Sequence, residues 1–167
     1  NYSANSASVM LGHGDGTFAA RSDYRAGNQP NALAIGDLDG DGDQDLAVTD
    51  WFTWDFATVA VLQGNGNGTF GTQRHLATGA DPWAVVSGDL DRDGIPDLVT
   101  ANYSASTISV LLGNGAATFA PKTDFATGVN PVSLALSDFN ADGRLDLAIA
   151  NRGATTVSVL LGLGDGS

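Results

Sequence analysis

Three stretches of this chain are variants of one string. They read GDLDGDGDQDLAVTD (36–50), GDLDRDGIPDLVTAN (88–102) and SDFNADGRLDLAIAN (137–151). Their leading aspartates, Asp37, Asp89 and Asp138, are spaced 52 and then 49 residues apart. A glycine-rich string keeps the same phase: MLGHGDGTF (10–18), LQGNGNGTF (62–70), LLGNGAATF (111–119) and LLGLGDGS (160–167). A third string, AGNQPNALAI, TGADPWAVVS and TGVNPVSLAL, keeps the same phase again (26–35, 78–87, 127–136). A unit repeated at this period means stacked supersecondary units rather than one irregular core. We read a single repeat domain over 1–167, with units of about 1–30, 31–81, 82–130 and 131–167.

Each unit predicts four short strands, called A to D here. Strand A is 32–36, 83–88 or 132–137, and strand B is 45–49, 97–101 or 146–150. Strand C alternates with period two: Val59 and Val61; Ile108, Val110 and Leu112; Val157, Val159 and Leu161. Such alternation marks half-buried strands. Strand D is expected around 18–26, 69–77 and 118–126, after a hairpin turn whose Gly and Asn accept positive φ. The fold class is therefore all-β, built of four-stranded antiparallel propeller blades. The phase at the ends gives the strand order CD, ABCD, ABCD, ABC, or about 3.25 blades. That is fewer than the four to eight that close a ring. A longer chain or a second copy is expected to complete it. Asn1 opens directly on folded-looking sequence with no signal peptide, which suggests a processed chain or a piece of a longer one.

Composition narrows the function. Seven Lys/Arg stand against 19 acidic residues, all Asp, for a net charge of −12, so a nucleic-acid partner is not expected. No apolar run is long enough to span a membrane. There is no cysteine, hence no disulfide framework, thiolate zinc site or cysteine nucleophile.

The chemistry is expected between strands A and B. The shared form D-x-[DN]-x-D-G-x-x-D puts hard oxygens at positions 1, 3, 5 and 9, the ligand type calcium takes. The first loop offers Asp37, Asp39, Asp41 and Asp45; the second, Asp89, Asp91, Asp93 and Asp97; the third, Asp138, Asn140, Asp142 and Asp146. Position 7 (Asp43, Ile95, Arg144) varies, as a backbone-carbonyl ligand would allow. Glycine at position 6 permits the turn. Position 12 is Val48, Thr100 or Ile149 rather than Glu, so these are not EF-hands. A solvated Asp/Gly turn is the alternative, but three loops in one phase and closely spaced carboxylates favour about three calcium ions. The third site, with neutral Asn140, is expected to be weakest.

The first full repeat is three residues longer than the second, and its B–C loop reads DWFTWDF (50–56). In a propeller, Trp51, Trp54 and Trp83 would share the end opposite the acidic loops. Flat aromatics there can stack on a sugar or anchor a protein, or pack between blades. No nucleophile–base pair stands out, so a binder is expected rather than an enzyme; an enzyme on a propeller face, or a purely structural piece, is the alternative.

The D-x-D-x-D-G-x-x-D-L loop with the G-x-G-x-x-T-F turn resembles the FG-GAP (VCBS-type) repeat, as in the integrin α-chain head. The resemblance covers essentially the whole chain. It implies a calcium-bearing propeller, usually of seven blades, placed outside the cell and used in recognition or adhesion. Too few repeats for seven blades, and Asn140 in the third loop, are its departures.

Overall fold

The computed structural model describes residues 1–51 and 57–167. Among the described residues, thirteen strands follow the expected order. A first pair holds β1 (Ser6–Val9) and β2 (Ser22–Arg25). A second, four-stranded sheet holds β3 (Pro30–Gly36), β4 (Asp45–Asp50), β5 (Thr58–Leu62) and β6 (Arg74–Ala77). A third holds β7 (Pro82–Gly88), β8 (Asp97–Asn102), β9 (Thr107–Leu111) and β10 (Thr123–Ala126). A fourth, of three strands, holds β11 (Pro131–Ser137), β12 (Asp146–Asn151) and β13 (Thr156–Leu160). Every pairing is an antiparallel meander between sequence neighbours.

The sheets stack face to face, with β3 beside β7 and β7 beside β11. Alternation along the strands makes this possible. In β4, Leu46 and Val48 face the first sheet, joining Ala7, Ala26, Ala60 and Leu62. Ala47 points the other way, into a core with Val59, Val61, Val85, Leu98 and Leu111 of the second and third sheets. The third interface buries Val99, Ile108 and Val110 against Leu147 and Ile149. Strands B of the second and third sheets are covered on both faces, and all their residues are buried. The sheets do not close into a ring. Leu33 and Ile35 at one end of the stack stay 52% and 58% exposed, and Val157 and Val159 at the other stay 65% and 56% exposed.

Two details differ from the sequence reading. Strand D starts four or five residues later than expected, because the recurrent Phe makes only an isolated bridge: Gly12↔Phe18, Gly64↔Phe70 and Gly113↔Phe119. Strand C ends before Leu112 and Leu161, where the glycine turn begins. Phe70 and Phe119 pack between sheets, as expected of a residue recurring once per unit.

At the end of the blades opposite the acidic loops, a buried amide ties strand B to strand C. Asn102 donates through Nδ2 to Ser109 Oγ at 2.8 Å, and Gly79 N–H donates to the same oxygen at 2.9 Å. Asn151 repeats this with Ser158 (2.8 Å) and Gly128 N–H (3.2 Å). In the second sheet Asp50 stands in this position, accepting from Asn28 N–H at 2.7 Å, and Ala60 replaces the serine.

Candidate metal centre and the opposite face

Each A–B loop folds around its own carboxylates. In the first loop, Asp37 accepts from Gly40 N–H (2.8 Å) and Gly42 N–H (3.0 Å). Asp89 does the same for Asp93 and Gly94 (3.1 and 3.0 Å), and Asp138 for Asp142 and Gly143 (3.1 and 2.8 Å). The wrap needs left-handed backbone twice. Position 6 supplies glycine (Gly42, Gly94, Gly143), but position 4 is Gly40, Arg92 or Ala141, with φ of 81°, 66° and 61°. The two non-glycine cases cost about 1–2 kcal/mol each by their Cβ, which the hydrogen bonds to the position-1 carboxylate offset.

Position 9 is the anchor. Asp45 and Asp97 are fully buried, and Asp146 is nearly so. Both oxygens of each accept backbone hydrogen bonds. Asp45 takes Leu38 N–H at 2.8 Å and Gly64 N–H at 2.7 Å. Asp97 takes Leu90 (2.7 Å) and Gly113 (2.8 Å), and Asp146 takes Phe139 (2.8 Å) and Gly162 (2.9 Å). One carboxylate therefore joins the A–B loop to the turn after strand C. Burial pushes the carboxyls of Asp45 and Asp97 above the usual range, against the opposing pull of those N–H groups. Neighbouring Asp39 and Asp41, or Asp91 and Asp93, push the same way. Asp138 is held low instead, first by Gly143 N–H.

Positions 1, 3 and 9 converge. Oxygens of Asp37, Asp39 and Asp45 lie within 4.8 Å of one another, and so do those of Asp89, Asp91 and Asp97. Three carboxylate oxygens at that spacing can share one cation of the hard, oxygen-seeking kind. Gln63 adds its amide to Asp39 Oδ2 at 2.7 Å. The third loop does not form such a carboxylate triplet. Asn140 stands at position 3 and donates to Asp142 at 2.9 Å, and Arg144 Nε lies 3.9 Å from the same carboxylate.

Position 5 lies outside the triplets. Asp41, Asp93 and Asp142 instead accept from the N–H of position 7, at 2.8, 2.7 and 3.0 Å. Asp43 stands over the next turn, where a Cβ on Gly66 would meet its carboxylate at 2.5 Å. For Ile95 the described bond is that N–H contact, and Arg144 adds Nη1 to the Leu163 carbonyl at 3.4 Å. Sequence reasoning missed Gly64, Gly113 and Gly162, the partners of the buried aspartates. Their signal was present: a glycine two residues past the end of strand C in each of the last three units.

At the opposite end, Trp51 and Trp83 meet edge to face, ring centroids 5.7 Å apart. Tyr2 lies 5.8 Å from Trp51, and Tyr103 lies 5.1 Å from Trp83. The four rings form a row across the first three sheets, with both tryptophans half-buried. Tyr2 and Tyr103 were not singled out from sequence, although each holds the place of Trp51 in its own unit. Trp54 falls outside the described residues.

No curated protein matches the chain. Among solved structures, a chain of the Photorhabdus luminescens Tc holotoxin pore superposes with a TM-score of 0.52 at 21% identity. The match covers 93% of this chain and only 8% of that one, and supports the fold alone. No helix among the described residues is long and apolar enough to cross a membrane. The FG-GAP-like repeat matches three times, over residues 1–48, 49–100 and 89–149. Those segments fall on the stacked sheets just described, and the chain belongs to the FG-GAP-like repeat family.

Proposed function

We propose that this chain is a calcium-stabilised propeller module that acts by recognition outside the cell and not by catalysis. The observation that carries the reading is the pair of carboxylate triplets at the same place in consecutive repeats. Calcium accepts this donor set, whereas magnesium demands a stricter octahedron and keeps its waters. The ion would neutralise charge gathered at Asp45 and Asp97, which burial disfavours. Loops of this kind fill at the ion levels found outside cells. The row Tyr2–Trp51–Trp83–Tyr103 is the proposed recognition face, for a protein or carbohydrate. The apolar ends of the stack support ring completion by further repeats or by a second copy.

Isothermal titration with calcium at pH 7 tests this. Two sites should fill first, with any third much weaker, because Asn140 removes a charge from the last loop. Asp39→Ala and Asp91→Ala should each remove one of the two. Asp45 and Asp97 carry raised pKa values in the cation-free chain, so protons compete above the ordinary carboxylate range. Affinity should therefore fall as pH is lowered toward 5. The sign for folding is the opposite: a raised native pKa penalises the cation-free fold at neutral pH, and the penalty fades as pH drops. Calcium dependence of stability should thus be greatest near neutrality. Absence of heat at millimolar calcium would overturn the reading.

A further inference from the structure

The glycine-rich turns after strand C share one closure. In the first unit Asp15 Oδ1 accepts from Thr17 N–H at 2.9 Å and from the Thr17 hydroxyl at 2.6 Å. In the fourth, Asp165 Oδ1 accepts from Ser167 N–H at 3.1 Å and from the Ser167 hydroxyl at 2.6 Å. These bonds, the hydroxyl's first, hold both carboxyls below the usual range. The second unit has Asn67 in this place. Its Oδ1 accepts from Thr69 N–H at 3.0 Å and from the Thr69 hydroxyl at 2.6 Å. The turn therefore uses one side-chain oxygen, which an amide and a carboxylate both supply. Asn67 is exposed, and among the described residues neither its Nδ2 nor the Gly68 N–H has a hydrogen-bond partner.

We infer that Asn67 is a site of spontaneous deamidation, converted to the acidic residue that the first and fourth units already carry. The Gly68 nitrogen adds to Asn67 Cγ, and negative charge develops on Oδ1, where the two Thr69 donors already point. Glycine at 68 puts no side chain in the way. The Cγ–Nδ2 bond then breaks, and the amide nitrogen leaves as ammonia with the proton that the Gly68 nitrogen gives up. Water opens the cyclic imide at one carbonyl or the other, leaving an aspartyl or an isoaspartyl link. The aspartyl product keeps the closure of the turn. The isoaspartyl product lengthens the backbone by a methylene where the turn rests on the first sheet. There Tyr24 Oη donates to the Gly68 carbonyl at 3.3 Å, and Leu11 packs so close that a Cβ on Gly68 would stand 2.5 Å from it.

Two other Asn–Gly pairs lie in the same turns and serve as internal comparisons. Asn65 Nδ2, the group that would have to leave, is held by donating to Thr69 Oγ1 at 2.9 Å. In the third unit Ala116 takes the place of Asn67, and the Thr118 N–H and hydroxyl turn to the Gly115 carbonyl at 3.0 and 2.8 Å. Among the described residues no donor faces the side-chain oxygen of Asn65 or Asn114. The inference stands on turn geometry and is independent of the metal reading.

The test is incubation of the intact chain at mildly alkaline pH, with peptide mapping by mass spectrometry to follow each amide-to-acid conversion. Asn67 is expected to convert at least about tenfold faster than Asn65 or Asn114. The same measurement in denaturant is the control: without the folded turn all three are plain Asn–Gly pairs, and their rates should converge. Thr69→Val, with its melting curve as the check on folding, should slow conversion at Asn67. The ranking in the unaltered chain makes the test independent of that variant. Conversion at Asn67 no faster than at the other two, the same ranking kept in denaturant, or a folded Thr69→Val chain that converts as fast, overturns the inference.

Discussion

Asp97→Ala is expected to lower unfolding free energy by about 3–5 kcal/mol, read as a fall in denaturant midpoint at unchanged slope. Asp97 is fully buried, and its two oxygens are the acceptors for Leu90 N–H and Gly113 N–H. Truncation strands both donors, at about 1–3 kcal/mol each for the lost desolvation balance. Burial pushes the Asp97 carboxyl up, so loss of the charge offsets part of this cost at neutral pH. Asp97→Asn should cost less, since one carbonyl oxygen survives to accept one of the two bonds. Asp93→Ala, at an exposed position of the same loop, should cost less than either. A loss under about 1 kcal/mol for Asp97→Ala would show that the anchor role is misassigned.

The second large effect is expected from a single methyl group. A Cβ on Gly113 would stand 2.5 Å from the Pro96 carbonyl oxygen and 2.9 Å from Ile95 Cγ2. The oxygen belongs to backbone held by the neighbouring Asp97, so it cannot swing aside. Gly113→Ala should therefore cost more than about 3 kcal/mol, or prevent folding. Gly94→Ala is the contrast. Gly94 has φ of 87° but open space around it, so only the left-handed penalty of about 1–2 kcal/mol applies. Thermal denaturation of the two variants side by side reads the difference. Equal destabilisation would mean that the backbone around Pro96 gives way and that the contact does not require glycine at position 113.

Much of this architecture was legible because every unit repeats the same local signals. Period-two runs such as Val59–Val61 set the strands, and the Asp/Gly and Asn/Gly turns set where they reverse. The phase of Asn1-Tyr2 against Asn102-Tyr103 gave the strand order at the ends. What spacing alone does not carry is which oxygens point inward. Sequence reading placed positions 1, 3, 5 and 9 together. The fold gathers 1, 3 and 9 and gives position 5 to the next backbone N–H, a choice made by loop dihedrals. The joining of Asp45 to Gly64 or Asp97 to Gly113 crosses 19 or 16 residues and shows only once strands B and C lie side by side. Tyr2 and Tyr103 join the tryptophan row for the same reason. Tyr2 meets Trp51 of the next sheet, and Tyr103 meets Trp83 on the neighbouring strand of its own sheet, neither of them adjacent in sequence.

On the proposed function, a divalent ion closes the first two acidic loops and so supports the stack. Thermal unfolding of the intact chain in millimolar calcium, against the same chain in chelator, tests it most directly. Binding only to the folded state stabilises by RT ln(1 + [L]/Kd) per site, about 2.7 kcal/mol when calcium is a hundredfold above Kd. The melting temperature should rise by several degrees in calcium, and the double variant Asp39→Ala/Asp91→Ala should lose that rise. Superimposable melting curves in calcium and in chelator would contradict the account.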